Sequence, residues 1–189
     1  SPDFNLPVEA ALRKLALPTV QYVSPQIWAW RQSRVKSIRS AADLVLCVLP
    51  FETDFYEKHS VNSVFVGHPL ADQIPLAVNA AAAREDLDLP ASKPILAILP
   101  GSRNSEVSKL ARPFLETGSW LQERHPDLEV VVALANEATR ATYERATHGI
   151  RLEPPPRPVV GRAREVLTAA DVVLTASGTA SLEAALLKR

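Results

Sequence analysis

Short apolar runs alternate along the chain with longer stretches in which apolar residues recur every three or four positions. The runs have the length of β-strands, and the longer stretches have the period of amphipathic helices. The predicted strands are Val20–Val23, Leu44–Leu49, Ser63–Val66, Ile95–Leu99, Leu128–Leu134 and Val172–Thr175. The predicted helices are Trp30–Ala41, Phe51–His59, Ala80–Leu87, Ser105–Arg124, Glu137–Thr147, Arg162–Ala169 and Thr179–Lys188. This alternation predicts an α/β protein with parallel sheets covered by helices.

Prolines modify the pattern at two places. Pro113 falls inside one predicted helix and removes a backbone donor, so we expect a helix boundary near Arg112 or a kink. Pro154–Pro158 contains four prolines and is predicted to be extended surface chain.

Charge is balanced over the whole chain but uneven along it. The 21 basic and 21 acidic residues give a formal net charge of +0, which gives no reason to expect nucleic acid as a partner. No acid lies between Glu9 and Asp43, a stretch that can meet phosphate or an anionic surface. Its basic residues are Arg13, Lys14, Arg31, Arg34, Lys36 and Arg39.

Other features narrow the class of protein. The one cysteine, Cys47, lies in an apolar run, which indicates a buried strand residue and a reducing compartment. No metal-ligand spacing is present, and no apolar run reaches the length of a membrane helix, so membrane contact is expected to be peripheral. The chain contains no methionine and stops within a helical pattern, so we expect an internal fragment.

Two predicted strands run directly into small-residue turns that open helices. Ile95–Leu99 leads into Gly101, and Val172–Thr175 leads into Gly178. The first backbone N–H groups of a helix have no intrahelical partner and lie at the positive end of its dipole, which suits phosphate. Two such turns in one domain indicate a diphosphate, such as that of a nucleotide.

The first turn carries three groups that suit an anion. Gly101 allows close backbone approach, Ser102 offers a hydroxyl, and Arg103 offers a guanidinium for phosphate oxygens. An ordinary helix cap explains these residues equally well, because serines are good cap residues and Glu106 suits a first turn.

The second turn carries Ser177, Gly178 and Thr179 without an arginine. Glu183 is expected on the helix face of Thr179, where its carboxylate can accept hydrogen bonds from a ribose diol. An ordinary cap followed by a solvated acid is the alternative. Neither turn matches the Walker pattern or Gly-x-Gly-x-x-Gly, so a sugar nucleotide remains the candidate ligand.

Candidate acceptor groups lie near the start of the chain. Trp28, Trp30 and Arg31 follow the first predicted strand and suit a sugar or lipid phosphate, although core packing of the tryptophans is an alternative. Asp3 and Asn5 are predicted to lie in a loop, where Asp3 is a general base or, more commonly, a turn residue.

Six sequence blocks, taken in order, resemble the lipid-A-disaccharide synthase family across nearly the whole chain. They are SPDFN from Ser1, YVSPQIWAWR from Tyr22, LPFE from Leu49, FVGHPLAD from Phe65, LPGSR from Leu99 and ASGTASLE from Ala176. The tryptophan block is the most specific of them.

The resemblance implies a GT-B glycosyltransferase built from two Rossmann-like domains. Residues 1–68 then correspond to the C-terminal part of the acceptor domain, and residues 69–189 to the N-terminal part of the donor domain, with both domains incomplete. The implied reaction transfers a diacylglucosamine unit from UDP to 2,3-diacylglucosamine 1-phosphate, with inversion and without a cofactor or metal.

The resemblance also assigns roles to the candidate residues. Donor UDP is expected at Gly101, Ser102, Arg103, Ser177, Gly178, Thr179 and Glu183, with Arg103 stabilising the leaving group. The acceptor is expected at Asn5, Trp28, Trp30 and Arg31. The family's favoured base would precede Ser1, so Asp3 is expected to be a positioning residue, with a substitute catalytic base as the alternative. The chain as given is expected to have no transferase activity.

Rival interpretations are another GT-B enzyme of UDP-N-acetylglucosamine, namely a lipid II-forming transferase or a 2-epimerase, or a non-catalytic UDP-sugar or lipid-binding module. The lipid substrates imply a cytoplasmic protein that is peripheral on the cytoplasmic face of the inner membrane. An oligomer is compatible with the same resemblance, and nucleic acid is not an expected partner.

Overall fold

The chain folds into two units, each with its own apolar core. A computed structural model describes residues 2–189. The first unit ends at Gln73, and the second spans Ile74–Arg189. The domain division expected at residues 68 and 69 refers to the domains of a whole transferase and stays a prediction.

The first unit contains a three-stranded parallel sheet in the order β1-β2-β3. Its strands are β1 (Val20–Tyr22), β2 (Leu44–Cys47) and β3 (Ser63–Phe65). Its helices are α1 (Pro2–Lys14), α2 (Ile27–Trp30), α3 (Val35–Ala41), α4 (Glu52–Glu57) and α5 (Pro69–Gln73), with a 3-10 turn at Gln32–Arg34. Ile38, Val45 and Tyr56 are fully buried in the core of this unit.

The second unit contains a four-stranded parallel sheet in the order β6-β5-β4-β7. Its strands are β4 (Ile95–Leu99), β5 (Glu129–Leu134), β6 (Arg157–Val160) and β7 (Val172–Thr175). Its helices are α6 (Ala80–Asp86), α7 (Asn104–Gln122), α8 (Glu137–Ala146), α9 (Ala163–Ala169) and α10 (Thr179–Leu186). Every residue of β4 is buried, as expected for a central parallel strand covered on both faces.

The expected α/β class with parallel sheets and flanking helices is confirmed. β4 and β7 have the predicted bounds, and the other predicted strands differ by one or two residues at an end. β6 lies in and just beyond the segment predicted as extended surface chain. Its Pro158 lacks a backbone donor, which an edge strand tolerates because one side of the strand has no partner.

Three local predictions were wrong. Asp3 and Asn5 lie in helix α1 rather than in a loop, because Pro2 is tolerated in a first helical turn. The helix predicted over Trp30–Ala41 is divided among α2, the 3-10 turn and α3. The boundary predicted near Arg112 is absent, since α7 continues through Pro113.

The tolerance of Pro113 follows from where it lies. The residue is exposed on α7, so water can solvate the carbonyl that the missing N–H leaves free. Residues on the opposite face of the same helix, including Val107, Ala111 and Leu115, are buried and hold the helix to the sheet.

Across residues 2–189, no helix has both the length and the apolar character needed to cross a membrane.

Candidate functional site

Both predicted phosphate turns lie at one edge of the sheet in the second unit. β4 and β7 are neighbouring parallel strands, and Leu99 is paired with Thr175 at their carboxyl ends. The turns that follow these two residues are therefore adjacent, at the edge where α/β sheets bind ligands.

A cavity of about 500 Å³ opens between the two turns. All seven residues predicted to contact donor UDP line it: Gly101, Ser102, Arg103, Ser177, Gly178, Thr179 and Glu183. The cavity is also lined by Glu106 and by residues at the end of β5. The sheet order thus gathers groups that lie far apart in the sequence.

Glu106 occupies the backbone donors of the first turn. Its Oε2 accepts hydrogen bonds from the N–H groups of Ser102 at 3.0 Å and Arg103 at 3.3 Å. Its Oε1 accepts a hydrogen bond from Arg103 Nη1 at 2.7 Å. The helix-cap alternative therefore describes the N–H groups of Ser102 and Arg103, because a glutamate in the first turn of α7 reaches back to them.

The same contacts set the charge of this turn. The Arg103 guanidinium, followed by the backbone N–H of Ser102, holds the pKa of the Glu106 carboxyl below its usual range. Glu106 is therefore ionised at neutral pH and offsets the charge of Arg103. The Arg103 side chain is nevertheless 76% exposed, and its guanidinium has further N–H donors for a second anion.

Gly101 is required by this arrangement for two reasons. Its φ is +125°, a backbone conformation that residues with a side chain rarely adopt. A Cβ atom at this position would also lie 2.5 Å from Glu106 Cβ and 2.7 Å from Glu106 Oε2. The turn can therefore keep Glu106 in place only with glycine at residue 101.

The second turn has a different arrangement of donors. The Ser181 hydroxyl donates to the Gly178 carbonyl at 2.6 Å, and the Gly178 N–H donates to the Ser181 hydroxyl oxygen at 3.3 Å. Thr179 and Ala180 begin α10, where backbone N–H groups have no intrahelical partner, and both residues line the cavity. The second turn therefore supplies the open backbone donors of this site.

Glu183 lies one helical turn further into α10 and is held by a residue from α9. Arg164 Nε donates a hydrogen bond to Glu183 Oε1 at 2.8 Å. The Glu183 side chain is only 17% exposed, and the contact uses one of its two carboxylate oxygens. The sequence did not indicate Arg164, because the contact joins two helices across a strand.

The predicted acceptor residues do not share one cavity. Asn5 lines a second cavity of about 390 Å³ in the first unit, at the carboxyl ends of β1 and β2. Trp30 is 68% exposed and carries the Arg31 guanidinium 4.1 Å from its ring centroid. Asp3 forms an ion pair with Arg34 on the surface.

Trp28 is fixed by Glu52, a residue that sequence reasoning missed. The indole N–H of Trp28 donates to Glu52 Oε1 at 3.2 Å, and its ring packs edge-on against Phe51. Glu52 is 1% exposed and also accepts from the N–H groups of Val48 and Leu49. The sequence indicated only that Glu52 lies in the first turn of a predicted helix.

Cys47 lies in β2 with no exposed surface. Burial, with a smaller contribution from the negative charge of Glu52, raises the pKa of its thiol to about 11. A thiol that stays protonated at neutral pH is a poor nucleophile. Cys47 therefore acts as a packing residue.

Comparison with known proteins places the site in context. The family model for lipid-A-disaccharide synthetase matches residues 1–189. The lipid-A-disaccharide synthases of Aromatoleum aromaticum, Vibrio cholerae and Idiomarina loihiensis are 53%, 51% and 47% identical to the chain over its full length. The match covers 49%, 50% and 50% of these three proteins, so the chain spans about half the length of the relatives it matches.

A solved structure of E. coli ADP-heptose LPS heptosyltransferase II is a weaker likeness. Its TM-score is 0.44 and its sequence identity 14%, over 99% of this chain and 65% of that one. This likeness supports no statement about the site, whereas the family model covers the whole chain. The chain belongs to the lipid-A-disaccharide synthetase family.

Proposed function

We propose that the second unit binds the UDP group of the donor in a lipid-A-disaccharide synthase of the GT-B class. The proposed enzyme transfers a 2,3-diacylglucosamine unit from UDP to the 6-hydroxyl of 2,3-diacylglucosamine 1-phosphate, with inversion and release of UDP. The observation that carries the proposal is the single cavity lined by both turns and by Glu183. The family match does not favour a lipid II-forming transferase, a 2-epimerase or a non-catalytic module.

The diphosphate is best accommodated at the second turn. There Thr179 and Ala180 line the cavity in the first turn of α10, where backbone N–H groups have no intrahelical partner and the helix dipole favours a negative charge. The free donors of Arg103 and the hydroxyl of Ser102 approach from the first turn. In this arrangement Arg103 stabilises the charge that develops on the leaving UDP.

The ribose belongs at Glu183 in the same proposal. The oxygen of Glu183 that does not receive the hydrogen bond from Arg164 is available to the ribose hydroxyls. The residues proposed to bind the acceptor are Asn5, Trp28, Trp30 and Arg31. The hydrogen bond from Trp28 to Glu52 holds the indole ring in place. Asp3 is proposed as a positioning residue, consistent with its pairing to Arg34.

Membership of the family implies a UDP-sugar donor and a lipid acceptor in general terms. We further propose that the protein is cytoplasmic and binds the cytoplasmic face of the inner membrane peripherally. Both proposed substrates carry acyl chains, so the active site must receive them from a lipid phase. Exposed basic residues in the first unit support this placement.

Thermal unfolding of the chain with and without UDP tests the donor site. UDP is expected to raise the Tm, since a ligand at about 100 times its Kd stabilises a native state by about 2.7 kcal/mol. Arg103→Ala should lose most of this shift, because it removes the charged donor from the cavity. Arg112→Ala is the matched control, since Arg112 lies on α7 and pairs with Glu116 instead.

Two outcomes of this test would contradict different parts of the proposal. Equal shifts in the unsubstituted chain and Arg103→Ala would remove Arg103 from the site. The absence of any UDP shift in the unsubstituted chain would overturn the proposed function.

A further inference from the structure

Arg164 approaches the nucleotide cavity from a helix that carries none of the predicted site residues. It is the second residue of α9, and the first, Ala163, lines the cavity. Its Nε donates to Glu183 Oε1 at 2.8 Å, so the contact ties α9 to α10. The Arg164 side chain is nearly half exposed, whereas that of Glu183 is largely buried.

This asymmetry distinguishes the pair from the ordinary ion pairs of the surface. Arg140 and Glu144 also form a hydrogen bond, at 3.0 Å, but both side chains are well exposed on one helix. Exposed ion pairs of that kind contribute little to the stability of the fold, because water solvates each charge separately. Loss of Arg164 would instead leave a largely buried carboxylate without its donor, which is costly unless the side chain turns towards water.

The contact with Arg164 leaves the second carboxylate oxygen of Glu183 available to a ligand. A glutamate has rotatable side-chain bonds, and a hydrogen bond at one oxygen fixes the direction in which the other points. That second oxygen belongs to a residue lining the cavity. An anchored carboxylate can recognise a vicinal diol, whereas one free to rotate towards solvent loses the orientation on which such recognition depends.

We propose that Arg164 is a positioning residue that holds Glu183 for the ribose hydroxyls and so makes the site select ribonucleotides over 2′-deoxyribonucleotides. The inference rests on the proposed UDP site. Arg164 lies outside the predicted site residues, and its role in selecting the ribose is separate from the contacts to the diphosphate.

Calorimetric titration of the 189-residue chain with UDP, 2′-deoxy-UDP and pyrophosphate tests the inference. The unsubstituted chain is expected to bind UDP about tenfold more tightly than 2′-deoxy-UDP, the effect of one hydrogen bond to a charged group. In Arg164→Ala this ratio should fall to about twofold or less, because the carboxylate is no longer held. Pyrophosphate has no ribose, so its affinity should change far less than the affinity for UDP.

Further variants separate positioning from a structural role. Arg140→Ala is the matched control and should keep the ratio of the unsubstituted chain. Arg164→Lys retains a charged donor and should restore much of the ratio. In a Glu183→Gln background, Arg164→Ala should cause no further change in the ratio, since the two residues act through the same contact.

The outcomes distinguish the two proposals. UDP binding with an undiminished ratio in Arg164→Ala would overturn the role of Arg164 and leave the proposed function standing. No UDP binding to the unsubstituted chain would overturn both. If circular dichroism shows that Arg164→Ala is unfolded, Arg164→Lys and Arg164→Gln decide: the lysine must retain discrimination and the glutamine must lose it.

Discussion

At the residue scale, Gly101 and Glu106 show what a local motif can and cannot predict. The seven residues expected around donor UDP could be named because strand, turn and helix follow one another directly in the sequence. The sequence offered a cap with Glu106 only as an alternative, because the capture of the Ser102 and Arg103 N–H groups depends on a side-chain orientation. The contact made by Trp28 was harder still to predict, because its partner Glu52 lies 24 residues away in the sequence.

Gly101→Ala should destabilise the protein and weaken UDP binding. The new Cβ would meet Glu106 at 2.5 Å in addition to the cost of a positive φ, for a combined loss of about 2 to 3 kcal/mol. Urea denaturation measures the loss. Gly149→Ala is the matched control, because Gly149 has a φ of +85° with nothing within 4 Å of the added Cβ.

The difference between the two alanine variants isolates the contact with Glu106. The control should lose only about 1 kcal/mol, the cost of the backbone conformation. Equal losses would mean that Glu106 yields without cost, and the turn would then have less need of glycine than the distances imply.

At the scale of elements, buried strands were easier to predict than helices that contain proline. β4 is apolar throughout because both of its faces are covered, so its sequence marks it directly. Helix α1 was not predicted, and it contains Pro2 and Pro7. Pro7 and Pro113 are both exposed, and exposure is a property that the sequence near a proline does not reveal.

Pro113→Ala should stabilise helix α7. Alanine restores the N–H that can donate to the carbonyl of Lys109 and removes the steric conflict of the ring. The greater freedom of the unfolded alanine chain offsets up to about 1 kcal/mol of a gain of about 3 kcal/mol, so we expect a net gain of about 2 kcal/mol. The urea midpoint should rise, with Glu116→Ala as an exposed control on the same helix. A lower midpoint for Pro113→Ala would show that the proline stabilises α7.

At the scale of the whole molecule, a net charge of zero hides an uneven distribution. In the acid-free stretch, Arg13 pairs with Asp43 and Arg34 with Asp3. Among residues 2–189, no ion pair engages the remaining four basic residues of that stretch, all of which are exposed: Lys14, Arg31, Lys36 and Arg39. The exposed ring of Trp30 lies next to Arg31. This combination of cationic and apolar groups suits an anionic lipid surface.

Co-sedimentation with vesicles tests the proposed membrane placement. The chain should bind vesicles containing phosphatidylglycerol more strongly than vesicles of phosphatidylcholine alone. Each basic residue near such a surface contributes about 1 kcal/mol, so Lys36→Glu with Arg39→Glu should weaken binding more than about tenfold. Lys58→Glu with Lys109→Glu reverses the same charge at exposed positions outside the stretch. If both double variants bind equally, the stretch has no role.

The pairing of Leu99 with Thr175 also has a consequence for the order of folding. Strands β5 and β6 lie between β4 and β7 in the sequence, yet β4 and β7 are neighbours in the sheet. Contacts between distant parts of a chain carry the largest loop-closure cost and are slow to form. A refolding intermediate in which β7 is still unpaired has no cavity between the turns, so the gain of nucleotide binding during refolding marks the closure of the sheet.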